Sequence, residues 1–233
     1  MKIAIIPARG GSKRISRKNI KDFCGKPIIS WSIEAALKSG CFDQVIVSTD
    51  DLEIADVSRQ YGASVPFMRP AELSDDYTGT IPVVRHAIQW FLGQGYSVSK
   101  ACCLYATAPF VRASDLQQGL NVLESSSSEY AFSVTSYAFP IQRAIRITEA
   151  QRVEMLAPEN FYKRSQDLED VYHDAGQFYW GLARAWLENK VFFSPDSAPV
   201  ILPRYRVQDI DTIEDWVRAE LMFNAIQATE SDI

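Results

Sequence analysis

The chain opens on Ile3-Ala4-Ile5-Ile6-Pro7-Ala8-Arg9-Gly10-Gly11-Ser12-Lys13-Arg14, a short apolar run followed at once by a glycine-paired basic loop. An unbroken apolar run bounded by loop residues predicts a strand buried on both faces, as in a parallel sheet. Open α/β sheets bind ligands beyond the carboxyl ends of such strands. The paired glycines let backbone amides approach an oxygen-rich ligand closely. Arg9, Lys13, Arg14, Arg17 and Lys18 place a dense positive charge on this one loop, which suits a polyphosphate. The loop is not a P-loop, because it lacks the Gly-Lys-Ser/Thr ending, and it is not a G-x-G-x-x-G dinucleotide loop. A solvated basic surface loop is the bland alternative. The position directly after the first strand counts against it.

Working outward, helical and strand patterns alternate. Pro27 to Leu37 predicts a helix with Ile28, Ile29, Trp31 and Ala35 inward. Val45 to Ser48 predicts a second strand, ending in Thr49-Asp50-Asp51. Leu52 to Tyr61 is helical, with Gly62 as its stop, and Ser64 to Met68 reads as a short third strand. Residues 78–93 carry Ile81, Val84, Ile88 and Phe91 at near-helical spacing. Ala101 to Tyr105 and Ala131 to Thr135 read as strands around a short helix at Asp115 to Leu123. This alternation predicts βαβ units and a mainly parallel, Rossmann-like sheet.

The pattern changes after residue 135. Residues 136–172 are polar, with short strand-like pieces at Ala144 to Ile147 and Val153 to Leu156, so this segment reads as an inserted arm. Gln177 to Trp180 returns to strand character, and Arg204 to Gln208 reads as a last edge strand. Thr212 to Gln227 predicts a closing helix, with Thr212 and Asp215 in capping-box positions and Ile213, Trp216, Val217 and Leu221 inward. The expected organisation is an α/β domain over 1–135 and 176–233, interrupted by an arm over 136–175.

Bulk composition excludes several classes. An apolar fraction of 47% and a charged fraction of 23% describe a packed chain rather than a disordered one. The net charge of −5 argues against a nucleic-acid partner, which would favour a basic face. No stretch approaches the roughly 18 apolar residues of a membrane span, and no signal-peptide core opens the chain. Cys24, Cys41, Cys102 and Cys103 lack metal-ligand spacing and read as free thiols of a reducing cytoplasm. With His86 and His173 the only histidines, a His-rich metal site is excluded, and His86 on a helical face reads as structural.

Asp209 and Asp211 form a second constellation. Two carboxylates one residue apart project to the same side of an extended segment. That suits Mg²⁺, which takes few carboxylates plus waters and phosphate oxygens, although turns and caps also use Asp freely.

In order along the chain, Ala-Arg-Gly-Gly-Ser-Lys at 8–13 with Lys18-Asn19, Val47-Ser48-Thr49-Asp50, Arg69-Pro70-Ala71-Glu72-Leu73, Gly176 with Tyr179, and Asp209-Ile210-Asp211-Thr212 resemble the acylneuraminate cytidylyltransferases. The resemblance covers nearly the whole chain. It implies a nucleotide-diphospho-sugar transferase type of α/β fold, a homodimer joined through the arm, and transfer of CMP from CTP to a nine-carbon sugar acid. It also implies Mg²⁺ on Asp209 and Asp211, with Mn²⁺ as a substitute. Catalytic roles carry over to Arg9, Lys18 and Asp211. Nucleotide contacts carry over to Ala8, Arg9, Gly10, Gly11, Ser12, Lys13, Asn19, Arg69 and Thr80. Sugar contacts fall on Tyr105, Gln142, Arg143, Arg164 and Gln166, with Arg143 supplying charge where the family often has lysine at 142. Arg69 also has a structural alternative, pairing with Glu72, and Asp50 could orient Arg9 or cap the next helix.

Lys13-Arg14-Ile15, Leu104 to Phe110 and His173 to Trp180 look like the pseudaminic acid branch of that family. Tyr105-Ala106 stands where sialic acid synthetases usually carry glutamine-proline, which points away from N-acetylneuraminic acid. The same chemistry on N-acetylneuraminic, legionaminic or 3-deoxy-octulosonic acid is the alternative within the class. A sugar-1-phosphate nucleotidyltransferase fits the Ser-Lys-Arg ending and the D-I-D-T pair less well. A non-catalytic nucleotide-binding regulator is the alternative outside it.

Overall fold

A computed structural model describes residues 1–231. The strands are β1 (Lys2–Pro7), β2 (Asp22–Phe23), β3 (Lys26–Pro27), β4 (Gln44–Ser48), β5 (Lys100–Leu104), β6 (Tyr130–Ser136), β7 (Ile145–Ile147), β8 (Val153–Met155), β9 (Tyr172–Leu182) and β10 (Ser197–Ile201). The helices are α1 (Ile28–Ser39), α2 (Leu52–Gln60), α3 (Thr80–Gly93), α4 (Ala113–Ser125), α5 (Ala183–Leu187) and α6 (Ile213–Ser231).

The central sheet has the order β10-β6-β9-β5-β1-β4. β1 pairs in parallel with β4 and β5, and β10 pairs in parallel with β6. Only β9 runs against its neighbours β5 and β6. The sheet is therefore mainly parallel, as the alternating pattern requires. Ile3, Ala4, Ile5 and Ile6 of β1 are all buried, because helices cover both faces of the strand. One face packs on α1 and α4, with Ala4, Ile6, Ile33, Ala36 and Leu116 in the same cluster. The other packs on α3 and α5, with Ile3, Ile5, Val84, Ile88 and Trp186 together.

Three differences from the sequence pattern have physical causes. Arg204 to Gln208 is not an edge strand: Arg204–Arg206 is a 3-10 turn, and β10 takes the edge. Arg206 is held inward by a buried ion pair to Asp115 at 2.6 Å, which pulls the backbone off the sheet. Ser64 to Met68 touches β4 only through isolated bridges, Ile46 to Ser64 and Thr49 to Met68, so it is an irregular flank. On α6 the capping box forms, with Asp215 N donating to Thr212 Oγ1 at 3.1 Å and Thr212 N to Asp215 Oδ2 at 2.8 Å. Of the expected inward residues Trp216 is buried, together with Ala219 and Phe223, while Ile213, Val217 and Leu221 are exposed. The rings of Phe23 and Trp31 meet Trp216 and Phe223 edge-on at 4.5–5.5 Å, and aromatic contacts outweigh the aliphatic stripe.

The segment between β6 and β9 leaves the sheet. β7 and β8 form a separate two-stranded antiparallel ribbon. Among the residues of this excursion only Asn160 is buried, and Phe139, Ile147, Val153, Phe161 and Tyr162 are largely exposed.

Candidate active site

Because β1, β4 and β5 are parallel, the loops after Pro7, Ser48 and Leu104 gather at one edge of the sheet. A cavity of about 690 Å³ lies there, lined by Arg9, Ser12, Lys13, Arg14, Lys18, Asn19, Arg69, Asp75, Asp76, Thr80 and Tyr105 among others. A smaller apolar hollow of about 290 Å³ lies away from these groups, between α1 and α6.

The basic loop is built from its own backbone and from β4. Ala8 N donates to Ser48 O at 2.9 Å, which extends the β1–β4 pairing by one residue. Gly10 N donates to Asp50 Oδ1 at 3.0 Å. A Cβ at Gly10 would stand 2.6 Å from Asp51 Oδ2, so close packing requires the glycine. Asn19 Nδ2 donates to Arg9 O at 2.9 Å and fixes the two ends of the loop together.

The five basic side chains divide. Arg9, Lys13, Arg14 and Lys18 face the cavity. Arg17 turns away, its guanidinium on Asp51 at 2.5 Å and Glu53 at 2.5 Å, and so leaves the phosphate cradle. Its bond holds the Asp51 carboxyl down at about 2. Asp51, not Asp50, caps α2, accepting from Ile54 N at 3.0 Å. Arg69 does not pair with Glu72. It is buried, with Nη2 3.8 Å from Asp50 and Nε on Ser74 Oγ at 3.2 Å, and Nη2 has no hydrogen-bond partner. His86 packs edge-on against Phe67 at 4.9 Å.

Neither member of the carboxylate pair lines the cavity, but Asp211 is paired with two of the cations that do. Lys18 Nζ donates to Ile210 O at 2.7 Å and lies 3.4 Å from Asp211 Oδ1. Arg14 Nη2 is 2.8 Å from that same oxygen. Asp209 is open to solvent on one side and packed against the chain on the other. That partial burial, and after it the charge of Asp211, raises the Asp209 carboxyl above its usual range. Among the described residues no group of three or more acidic, His or Cys side chains is placed to hold a metal ion.

On the far wall, Thr80 Oγ1 and Tyr105 OH are hydrogen-bonded at 2.9 Å. Burial pushes the Tyr105 hydroxyl up to about 12, so it stays protonated. Behind it Tyr179 OH donates to Asp174, and Asp174 Oδ1 accepts from Gly176 N at 2.9 Å. Gly176 has φ 62, a conformation that favours glycine, and it lies opposite the register shift between Phe132 and Val134.

Gln142, Arg143, Arg164 and Gln166 lie on the excursion and none lines the cavity of this chain. Arg143 bonds Ser165 Oγ at 3.4 Å and the Lys163 carbonyl, Gln142 bonds Glu169 O at 2.8 Å, and Arg164 pairs with Asp167 at 2.7 Å. The sequence pattern missed Asp76, which pairs with both Arg9 and Lys13. Its one available signal was the acidic Asp75-Asp76 step shortly after the Arg-Pro-x-x-Leu segment.

A phosphate-type basic loop after β1 lines one cavity of a mainly parallel sheet, and its Arg14 and Lys18 pair with Asp211, the arrangement of a nucleotidyltransferase. The chain belongs to the cytidylyltransferase family, whose family model matches residues 3–208. It is 48% identical over 221 residues to the pseudaminic acid cytidylyltransferase of Campylobacter jejuni, covering 95% of each chain. It is 34% identical over 235 residues to the CMP-N,N'-diacetyllegionaminic acid synthase of Legionella pneumophila, covering 97% of each. A solved CMP:2-keto-3-deoxy-manno-octonic acid synthetase in complex with CTP shares the fold, with a TM-score of 0.70 at 16% identity over 98% of this chain and 99% of that one. The family match ends one residue before Asp209. No helix among the described residues is long and apolar enough to cross a membrane.

Proposed function

We propose that the chain joins CTP to a nonulosonic acid, pseudaminic acid in the first place, giving the CMP-sugar and pyrophosphate. The observation that carries this is one cavity lined by Arg9, Ser12, Lys13 and Lys18, with Lys18 paired in turn to Asp211. The choice of acid is supported by the identity to the Campylobacter enzyme and by Tyr105 at the cavity wall.

In this reading the sugar's anomeric hydroxyl attacks the α-phosphorus in line and pyrophosphate leaves. The chain's contribution is alignment and charge neutralisation. Arg9, Ser12 and Lys13 hold the triphosphate, Lys18 bridges the phosphates to the Asp211 side, and Asn19 keeps the loop in register. Thr80 and Arg69 line the same cavity and would contact the nucleotide. Asp209 and Asp211 would hold Mg²⁺, or Mn²⁺ in its place. The donor set suits the ion, because two carboxylates leave the other positions to water and phosphate oxygen, with Arg14 and Lys18 on Asp211 in its absence. When bound, the ion neutralises phosphate charge and lowers the pKa of the attacking hydroxyl.

The apolar side chains exposed on the otherwise polar excursion support a homodimer, and the free cysteines suit a cytoplasmic setting. There Arg143, Arg164, Gln142 and Gln166 would meet the sugar acid held by the neighbouring subunit. The deciding experiment is a mass-spectrometric assay with CTP, Mg²⁺ and a panel of nonulosonic acids. CMP-pseudaminic acid as the dominant product is expected. A dominant product from another acid moves the substrate. Binding of CTP with no product from any acid overturns the enzymatic reading in favour of a regulator.

A further inference from the structure

Two of the cations facing the cavity are engaged by an anion of the chain itself. Asp76 lies on the loop between the 3-10 turn Ala71–Leu73 and α3. Its Oδ1 is 2.7 Å from Arg9 Nη1, and its Oδ2 takes the Lys13 ammonium. Arg9 Nη1 also donates to the Asp75 carbonyl at 2.6 Å. The neighbouring Asp75 does different work: one of its carboxylate oxygens accepts from Tyr77 N at 3.0 Å, Thr78 N at 2.7 Å and Thr78 Oγ1 at 2.7 Å. Asp75 thus shapes the loop, and Asp76 is left to reach across the cavity.

One carboxylate that gives a separate oxygen to each of two cations copies the contact a phosphate group would make. Both Arg9 and Asp76 keep 35% of their side-chain surface exposed, and Lys13 keeps 79%, so the contact is solvated and exchangeable. Four cations crowded at one cavity with no internal anion would repel one another. They would also hold any polyphosphate, product included. Lys13 first and Arg9 next keep the Asp76 carboxyl below its usual range, so the anion is charged at neutral pH.

We propose that Asp76 is an internal competitor for the triphosphate: it occupies Arg9 and Lys13 in the empty enzyme, yields them to CTP, and reclaims them as pyrophosphate leaves. This rests on the CTP reading above. Such a competitor weakens substrate and product binding together, and it limits product retention.

The test compares the full-length chain with Asp76→Asn and with Asp56→Asn, a charge control whose carboxylate pairs with Arg59 on α2 outside the cavity. Calorimetric titrations with CTP and, separately, with pyrophosphate give the affinities, and thermal melts check the fold. Asp76→Asn is expected to bind both ligands about 3- to 10-fold tighter, the size of one or two exposed ion pairs. The inhibition constant of pyrophosphate should fall by a similar factor, and Asp56→Asn should match the parent. Unchanged or weaker binding of both ligands by a folded Asp76→Asn overturns the proposal. Equal tightening by Asp56→Asn also overturns it, because net charge would then be the cause. If the parent binds neither CTP nor pyrophosphate, the nucleotide reading fails first, and the competitor falls with it.

Discussion

The cavity loops and the 137–171 excursion are both long departures from the sheet, yet they are finished differently. The loop after β1 is tied to β4, to Asp50 and to its own far end through Asn19. Its charges are met by Asp51, Asp76 and Asp211. The excursion closes only a three-residue ribbon and leaves Phe139, Ile147, Val153 and Tyr162 in solvent. A loop meant for a small ligand can be completed within one chain, because ion pairs substitute for the ligand. The apolar side chains of the excursion stay exposed instead, the kind of surface that marks an interaction site.

The largest effect lies at the buried Asp115–Arg206 pair, which anchors the turn after β10. Asp115→Ala strands the buried Arg206 guanidinium and should cost about 3–5 kcal/mol, the range for breaking a buried pair. Chemical denaturation measures it, and a loss under 1 kcal/mol would show that the anchor is dispensable. Next comes the chemistry. Asp211→Ala should lower turnover by roughly 100-fold or more at saturating Mg²⁺, whereas near-normal product formation would remove Asp211 from the reaction.

On the arm, Phe139→Asp combined with Ile147→Asp should weaken self-association by about tenfold or more, since charge would enter an apolar contact. Sedimentation would detect this, and monomer stability should stay within about 0.5 kcal/mol because both sites are exposed. An unshifted association constant would break the comparison.

The smallest effect is that of pH on the Arg17–Asp51 tie. The Asp51 carboxyl lies at about 2 in the folded chain against an ordinary 3.8. Its contribution is therefore present above about pH 4 and is lost as pH falls towards 2. The stability advantage of the parent over Asp51→Asn should shrink across that window in urea titrations, and a constant difference would argue against the tie.

Much of the site was legible early, and the reason lies in covalent order. Arg9 to Lys18 are neighbours in sequence, so their shared charge could be read without a fold. Arg17 shows where that reading stops, since its direction depends on α2, a partner more than thirty residues away. The inward face of α6 misled for a related reason. Ile213, Val217 and Leu221 have valid helical spacing, but Phe23 and Trp31, distant in sequence, chose the opposite face.

The sequence by itself determined the parallel sheet, the basic loop and the aspartate pair, because periodicity and local spacing are properties of adjacent residues. Only the tertiary structure decided which cations face the cavity, that Asp76 engages Arg9 and Lys13, and that Asp211 shares the loop with Lys18 and Arg14. Those contacts join residues separated by 60 or more positions, so only the folded chain brings them within reach of one another.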